Sequence, residues 1–100
     1  MVVAVTVHGL EPEWPLLDEA TARSHAPELA ELAVEHGITN LRFASPGRLL
    51  GHVAADRDLM DVAAFELAAV ALLHAEVRLY SDGVLKKTHV SPDLLSARPL

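Results

Sequence analysis

Residues 59–73, Leu-Met-Asp-Val-Ala-Ala-Phe-Glu-Leu-Ala-Ala-Val-Ala-Leu-Leu, are interrupted by charge only at Asp61 and Glu66. A helix that is apolar on nearly every face has to be covered on more than one side. Its fifteen residues fall short of the roughly 20 that cross a bilayer. The stretch is therefore a helix for the rest of the chain, or the chain with a partner, to bury. Glu66 within it has two readings. It either lies at the rim and reaches solvent, or it is a charged anchor in a protein interface made with Val62, Phe65 and Ala69.

Working outward, Asp56 and Asp58 are good N-cap residues for this helix. Leu49 to Ala55 reads as a strand returning from Ile38 to Ala44, where Leu41 and Phe43 point one way and Asn40 and Arg42 the other. Between them Ser45-Pro46-Gly47-Arg48 places Pro and Gly at the central positions of a type II turn. Pro27 opens an amphipathic helix, with Leu29, Leu32, Ala33 and His36 on one side and Glu28, Glu31 and Glu35 elsewhere. Gly37 closes it. Before it, Leu16 to Ser24 reads as a short helical piece, Glu11 to Pro15 as a loop, and Val2 to Val7 as a strand. After the long helix, Glu76 to Tyr80 alternates as another strand and Ser81-Asp82-Gly83 turns the chain. Ser91 to Leu95 makes a last helical turn.

The order strand, helix, strand, turn, strand, helix, strand implies an α+β layer design, with helices covering a small mixed or antiparallel sheet. Two architectures share that order: the core of a small nucleotidyltransferase and a ferredoxin-like βαββαβ unit. One hundred residues make a single domain. Trp14, Phe43, Phe65 and Tyr80 are the only aromatics and the formal charge is −6. Both facts argue against nucleic acid as a direct partner, which would call for stacking platforms and phosphate-neutralising cations. The absence of cysteine removes disulfides, thiolate metal sites and cysteine nucleophiles. The six histidines show no His-x-x-x-His pair for zinc. Met1-Val-Val-Ala-Val-Thr-Val7 lacks the basic start of a signal peptide, so the expected location is cytoplasmic, with no membrane partner.

Leu41-Arg42-Phe43-Ala44-Ser45, Arg48, and Asp56-Arg57-Asp58 eleven residues beyond Ser45 follow one another in a familiar order. Led by the helix from Pro27 to Gly37 and followed by Leu72 to Ser81 and Ser91 to Leu100, they resemble the minimal nucleotidyltransferases of the polymerase β superfamily. The resemblance spans residues 27–100, leaving residues 1–10 as an extra N-terminal strand. In that family a strand ends in Phe-Gly-Ser, an arginine follows, and an Asp-x-Asp pair holds magnesium against nucleotide phosphates. A third carboxylate stands on a later Val-Asp-Leu strand.

The resemblance therefore makes Ser45, Asp56 and Asp58 the candidate catalytic and metal residues. Asp61 could stand in as the third carboxylate, with magnesium and ATP as cofactors if the chain is active. Two positions depart from the pattern. Ala44 replaces the glycine that would let backbone approach a phosphate. Arg78 puts a fixed positive charge where the third carboxylate should hold a cation. Spacing allows a further reading, in which Leu49 to Ala55 is itself the family's second strand. The active-site loop is then shortened to Ser45-Pro46-Gly47, and the aspartates are helix caps. The compact Pro-Gly hairpin favours this version.

Small members of the family often act as antitoxins bound to a toxin such as a HEPN ribonuclease. The resemblance thus implies a degenerate, inactive nucleotidyltransferase that masks a cognate toxin stoichiometrically, with no cofactor. The runner-up is an active enzyme that transfers AMP to its partner toxin. From a different class comes a ferredoxin-like homodimer with a structural or ligand-sensing role; self-association into a homo-oligomer is left open for the chain on any of these readings.

Overall fold

The structure, a computed structural model, describes residues 14–100. The strand expected over Val2 to Val7 lies outside the described residues. Asp18 caps α1 (Glu19–Ser24) by accepting from the Thr21 amide. The chain bends at His25 and enters α2 (Ala26–Glu35), with Pro27 in its first turn. Gly37, at φ 73°, ends α2 in the left-handed region. The hairpin of β1 (Ile38–Ser45) and β2 (Arg48–Val53) follows, then α3 (Leu59–Leu73) and β3 (Arg78–Ser81). A 3-10 turn (Asp82–Lys86), the single turn α4 (Pro92–Leu95) and the two-residue β4 (Arg98–Pro99) complete the described chain.

The four strands form one sheet in the order β3-β2-β1-β4. β1 pairs antiparallel with both β2 and β4, while β2 and β3 are parallel neighbours joined by α3. That parallel pair rules out the ferredoxin-like alternative. A split βαβ unit needs another strand between the two that flank its helix, and here β2 and β3 are bonded to each other directly. The structural or ligand-sensing reading loses the fold it was built on; self-association of the chain does not depend on that fold.

The hairpin has a two-residue loop, and Gly47 sits at φ 78°, as the third position of a type II turn requires. β1 does not alternate simply. Its pairing with β2 skips a residue between Thr39 and Arg42, and Asn40 takes φ 56°. This bulge turns Leu41 to the same side as Ile38, so Ile38, Leu41 and Phe43 all join the core. On that side α2 and α3 cover the sheet with Leu29, Ala33, Phe65 and Ala69, which meet Leu49, Val77 and Leu79. The opposite side is not bare. Leu50 is fully buried but stands apart from the main core, and Leu94 of α4 is buried as well. α4 packs on β1 and the 3-10 turn on β2. The helix layer expected on one face is thus joined by a thin second layer on the other.

Candidate functional site

Strand register decides which side chains share the second face. Ser45 pairs with Arg48 across the hairpin, Arg48 pairs with Arg78 and Leu50 with Tyr80. The short α4 sets Asp93 against this corner. Ser45 Oγ donates to Asp93 Oδ2 at 2.6 Å, and Arg48 Nη1 lies 2.9 Å from the same oxygen. The Arg48 guanidinium carbon sits 4.7 Å from the centre of the Tyr80 ring, a cation–π contact. Its Nε is buried with no hydrogen-bond partner. Foremost the Ser45 hydrogen bond, and also the Arg48 charge, hold the Asp93 carboxyl below its ordinary 3.8, against a partial burial acting the other way.

Asp93 is missing from the expected site. It lies 48 residues beyond Ser45, in a tail that sequence reading placed only as a last helical turn. The Ser-Pro start of that turn was visible, but nothing in the sequence announced its contact with Ser45. Because the folded-state pKa of Asp93 is depressed, its contribution to stability is present above the unfolded value of 3.8 and is lost as pH falls through the folded value. Asp93→Asn is therefore expected to lower the urea midpoint at neutral pH. The gap from the parent chain should close as the pH is taken down through the lowered folded-state value, where the parent carboxyl becomes protonated too.

The Asp-x-Asp candidates are elsewhere. Asp56 and Asp58 follow the far end of β2, with the length of that strand between them and Ser45, about 20 Å at 3.3 Å per residue. Asp58 is the N-cap of α3. Its Oδ1 accepts from the amides of Met60 and Asp61, and Asp61 Oδ2 accepts from the Asp58 amide, a reciprocal capping box. Asp61 also pairs with Arg57 at 3.1 Å. The Asp58 backbone bond, before the Arg57 pair, keeps the Asp61 carboxyl low. Asp56 is exposed in the turn after β2. The fold therefore follows the shortened-loop reading, which has Leu49 to Ala55 as the second strand and both aspartates as helix caps; the strand runs over Arg48–Val53 and only Asp58 is the cap. It does not bring Ser45, Asp56, Asp58 and Asp61 together as one metal site.

Magnesium does not fit the Ser45 corner. Arg48 stands across the hairpin from Ser45 with Arg78 one strand further on, the Asp93 carboxylate is already shared by Ser45 and Arg48, and Glu19, which lines the adjoining cleft, is held by Arg23. A hard divalent ion needs several oxygen ligands, and a guanidinium supplies none.

The interface expected on α3 also changes. Phe65 and Ala69 are fully buried in the chain's own core, so they are not available to another protein. Val62 is half-buried and packs on that core. Glu66 is half-buried, and its Oε2 accepts from the Leu79 amide of β3 at 2.7 Å, so that oxygen serves the chain itself and not a partner. The apolar surface that remains open on α3 belongs to other residues, among them Leu59, Met60 and Leu67.

No family model matches the chain, and no curated relative does. A solved structure provisionally described as a minimal nucleotidyltransferase superposes with a TM-score of 0.65 at 26% identity, covering 84% of this chain and 97% of that one. Among the described residues no helix is long and apolar enough to cross a membrane. The chain has a nucleotidyltransferase-like α+β fold, built on a four-stranded mixed sheet.

Proposed function

We propose that this chain is a catalytically inert binding module on a nucleotidyltransferase-like frame, an antitoxin that neutralises a toxic partner such as a ribonuclease by stoichiometric complex formation. The observation that carries the inert half is the register of β2 and β3, which sets Arg48 beside Arg78 next to Ser45. Two guanidinium groups there repel the divalent cation that nucleotidyl transfer would require. The place of Asp58 in a capping box supports the same reading, since its Oδ1 serves the first turn of the helix.

The partner half comes from the resemblance, and surface charge supports it. Glu28, Glu31 and Glu35 project from α2 around the exposed Val34. None of them enters an ion pair among the described residues. Such an acidic face steers a basic, RNA-handling protein towards it.

The test is reconstitution with the product of the adjacent gene. A complex of fixed stoichiometry that suppresses the partner's ribonuclease activity without added nucleotide is the expected result. Glu31→Lys with Glu35→Lys should weaken the complex and leave the thermal midpoint close to that of the parent. Suppression that requires ATP and leaves AMP covalently on the partner would instead favour the active-enzyme reading.

A further inference from the structure

α3 carries its charges where the chain itself uses them. Asp61 is committed to the capping box and to Arg57, and Glu66 to the Leu79 amide. Every residue on the side of the helix opposite Phe65 and Ala69 is consequently uncharged. Met60, Ala63, Leu67 and Ala71 recur there at three- and four-residue steps, with Leu59 at the margin and His74 at the end. Leu59 is 83% exposed, Met60 78% and Leu67 73%. An open stripe of this kind, more than three helical turns long and without one charged residue, is a surface built to be covered.

We propose that the stripe is the interface of a homodimer, in which α3 packs antiparallel against α3 of a second copy about a two-fold axis. The inference does not rest on the antitoxin reading, whose acidic face lies on α2. Three features point to a second copy as the occupant. The first is the alternation of large and small side chains. In antiparallel pairing Met60 comes opposite the partner's Ala71, and Ala63 opposite the partner's Leu67, so each bulky group meets a gap and the backbones can approach closely. Parallel pairing would set Met60 on Met60 and Leu67 on Leu67, with alanine facing alanine between them.

The second feature is charge at the ends. Arg57 is held by Asp61 of its own chain and the His74 ring stacks on Trp14, so the ends contribute through the helix poles: the antiparallel arrangement sets the positive N-terminal pole of each α3 beside the negative C-terminal pole of the other. The third is size. The stripe offers on the order of 500 Å² of apolar surface per copy, the larger part of the roughly 800 Å² per partner that a standard interface buries.

Sedimentation equilibrium of the full chain across the micromolar range tests the proposal. A reversible monomer–dimer equilibrium is expected, and Leu67→Glu should weaken it about tenfold or more while leaving the thermal midpoint near that of the parent, since Leu67 is exposed. Ala63→Glu gives an independent variant of the same face. The chain has no cysteine, so Met60→Cys combined with Ala71→Cys reads the orientation. The two positions are about 16 Å apart along one helix, beyond reach of a disulfide within a copy. Mild oxidation should convert the double variant to a covalent dimer and leave each single variant largely unlinked. A mass of one copy at every concentration overturns the proposal, as does a dimer that both charge insertions leave intact. Efficient cross-linking by the single variants overturns the antiparallel arrangement.

Discussion

Phe65→Ala is expected to cost about 3–5 kcal/mol of unfolding free energy, enough to leave a domain of this size close to its folding limit. Phe65 is the largest of the fully buried side chains. It seals α3 onto the sheet and meets the His36 ring edge-on, with centroids 6.5 Å apart. Truncation removes an aromatic ring's worth of burial and leaves a cavity between two helices and a sheet, where rigid walls cannot close it. Leu67→Ala, two residues along on the exposed side, should stay within about 0.5 kcal/mol in a dilute, monomeric sample. Guanidinium or urea denaturation of the pair reads the contrast. Similar losses at both positions would mean that α3 is rotated from the orientation described.

Glu66→Ala is expected to cost about 1–3 kcal/mol through a different mechanism. The carboxylate accepts from the Leu79 amide where β3 passes over the core, and the Leu79 side chain is only 6% exposed. Without it the amide of a nearly buried residue loses its acceptor. Glu66→Gln keeps an acceptor oxygen and should recover much of the loss, the remainder reflecting the weaker, uncharged acceptor. Amide hydrogen exchange locates the effect: Leu79 should exchange faster in Glu66→Ala than in Glu66→Gln. Equal exchange in both variants would assign the cost to lost packing instead.

Much of the fold was legible because it rests on local signals. Pro27 and Gly37 bracket α2, Pro46-Gly47 makes the hairpin, and Asp58 caps α3. Each of these is a short-range steric or hydrogen-bonding preference that the residues carry with them. Long-range features were not visible. The bulge at Asn40 puts Ile38 on the core side along with Leu41 and Phe43, which strict alternation along the strand does not provide. The parallel pairing of β2 with β3 needed coordinates, because element order does not state which strands touch. The candidate site suffered most from this. Spacing in the sequence put Asp56 and Asp58 in the place of a metal-binding pair, while the hairpin carried them one strand length away from Ser45. Asp93, which does meet Ser45 and Arg48, lies 48 residues beyond Ser45 in a tail without distinctive pattern. Glu66 shows the same limit from another side. Its position in an apolar helix signalled a special role, and only the approach of β3 revealed that the role is internal.

The proposed inert reading requires that the Ser45 corner, with Arg48 and Arg78 in register, hold no magnesium–nucleotide complex. Titration of the full chain with ATP, with and without magnesium, followed by chemical-shift changes of the backbone amides, tests it most directly. No magnesium-dependent change is expected at Ser45, Arg48 and Arg78, and no shift of the thermal midpoint at millimolar MgATP. Saturable, magnesium-dependent shifts centred on those residues, or on Asp56 and Asp58, would contradict it.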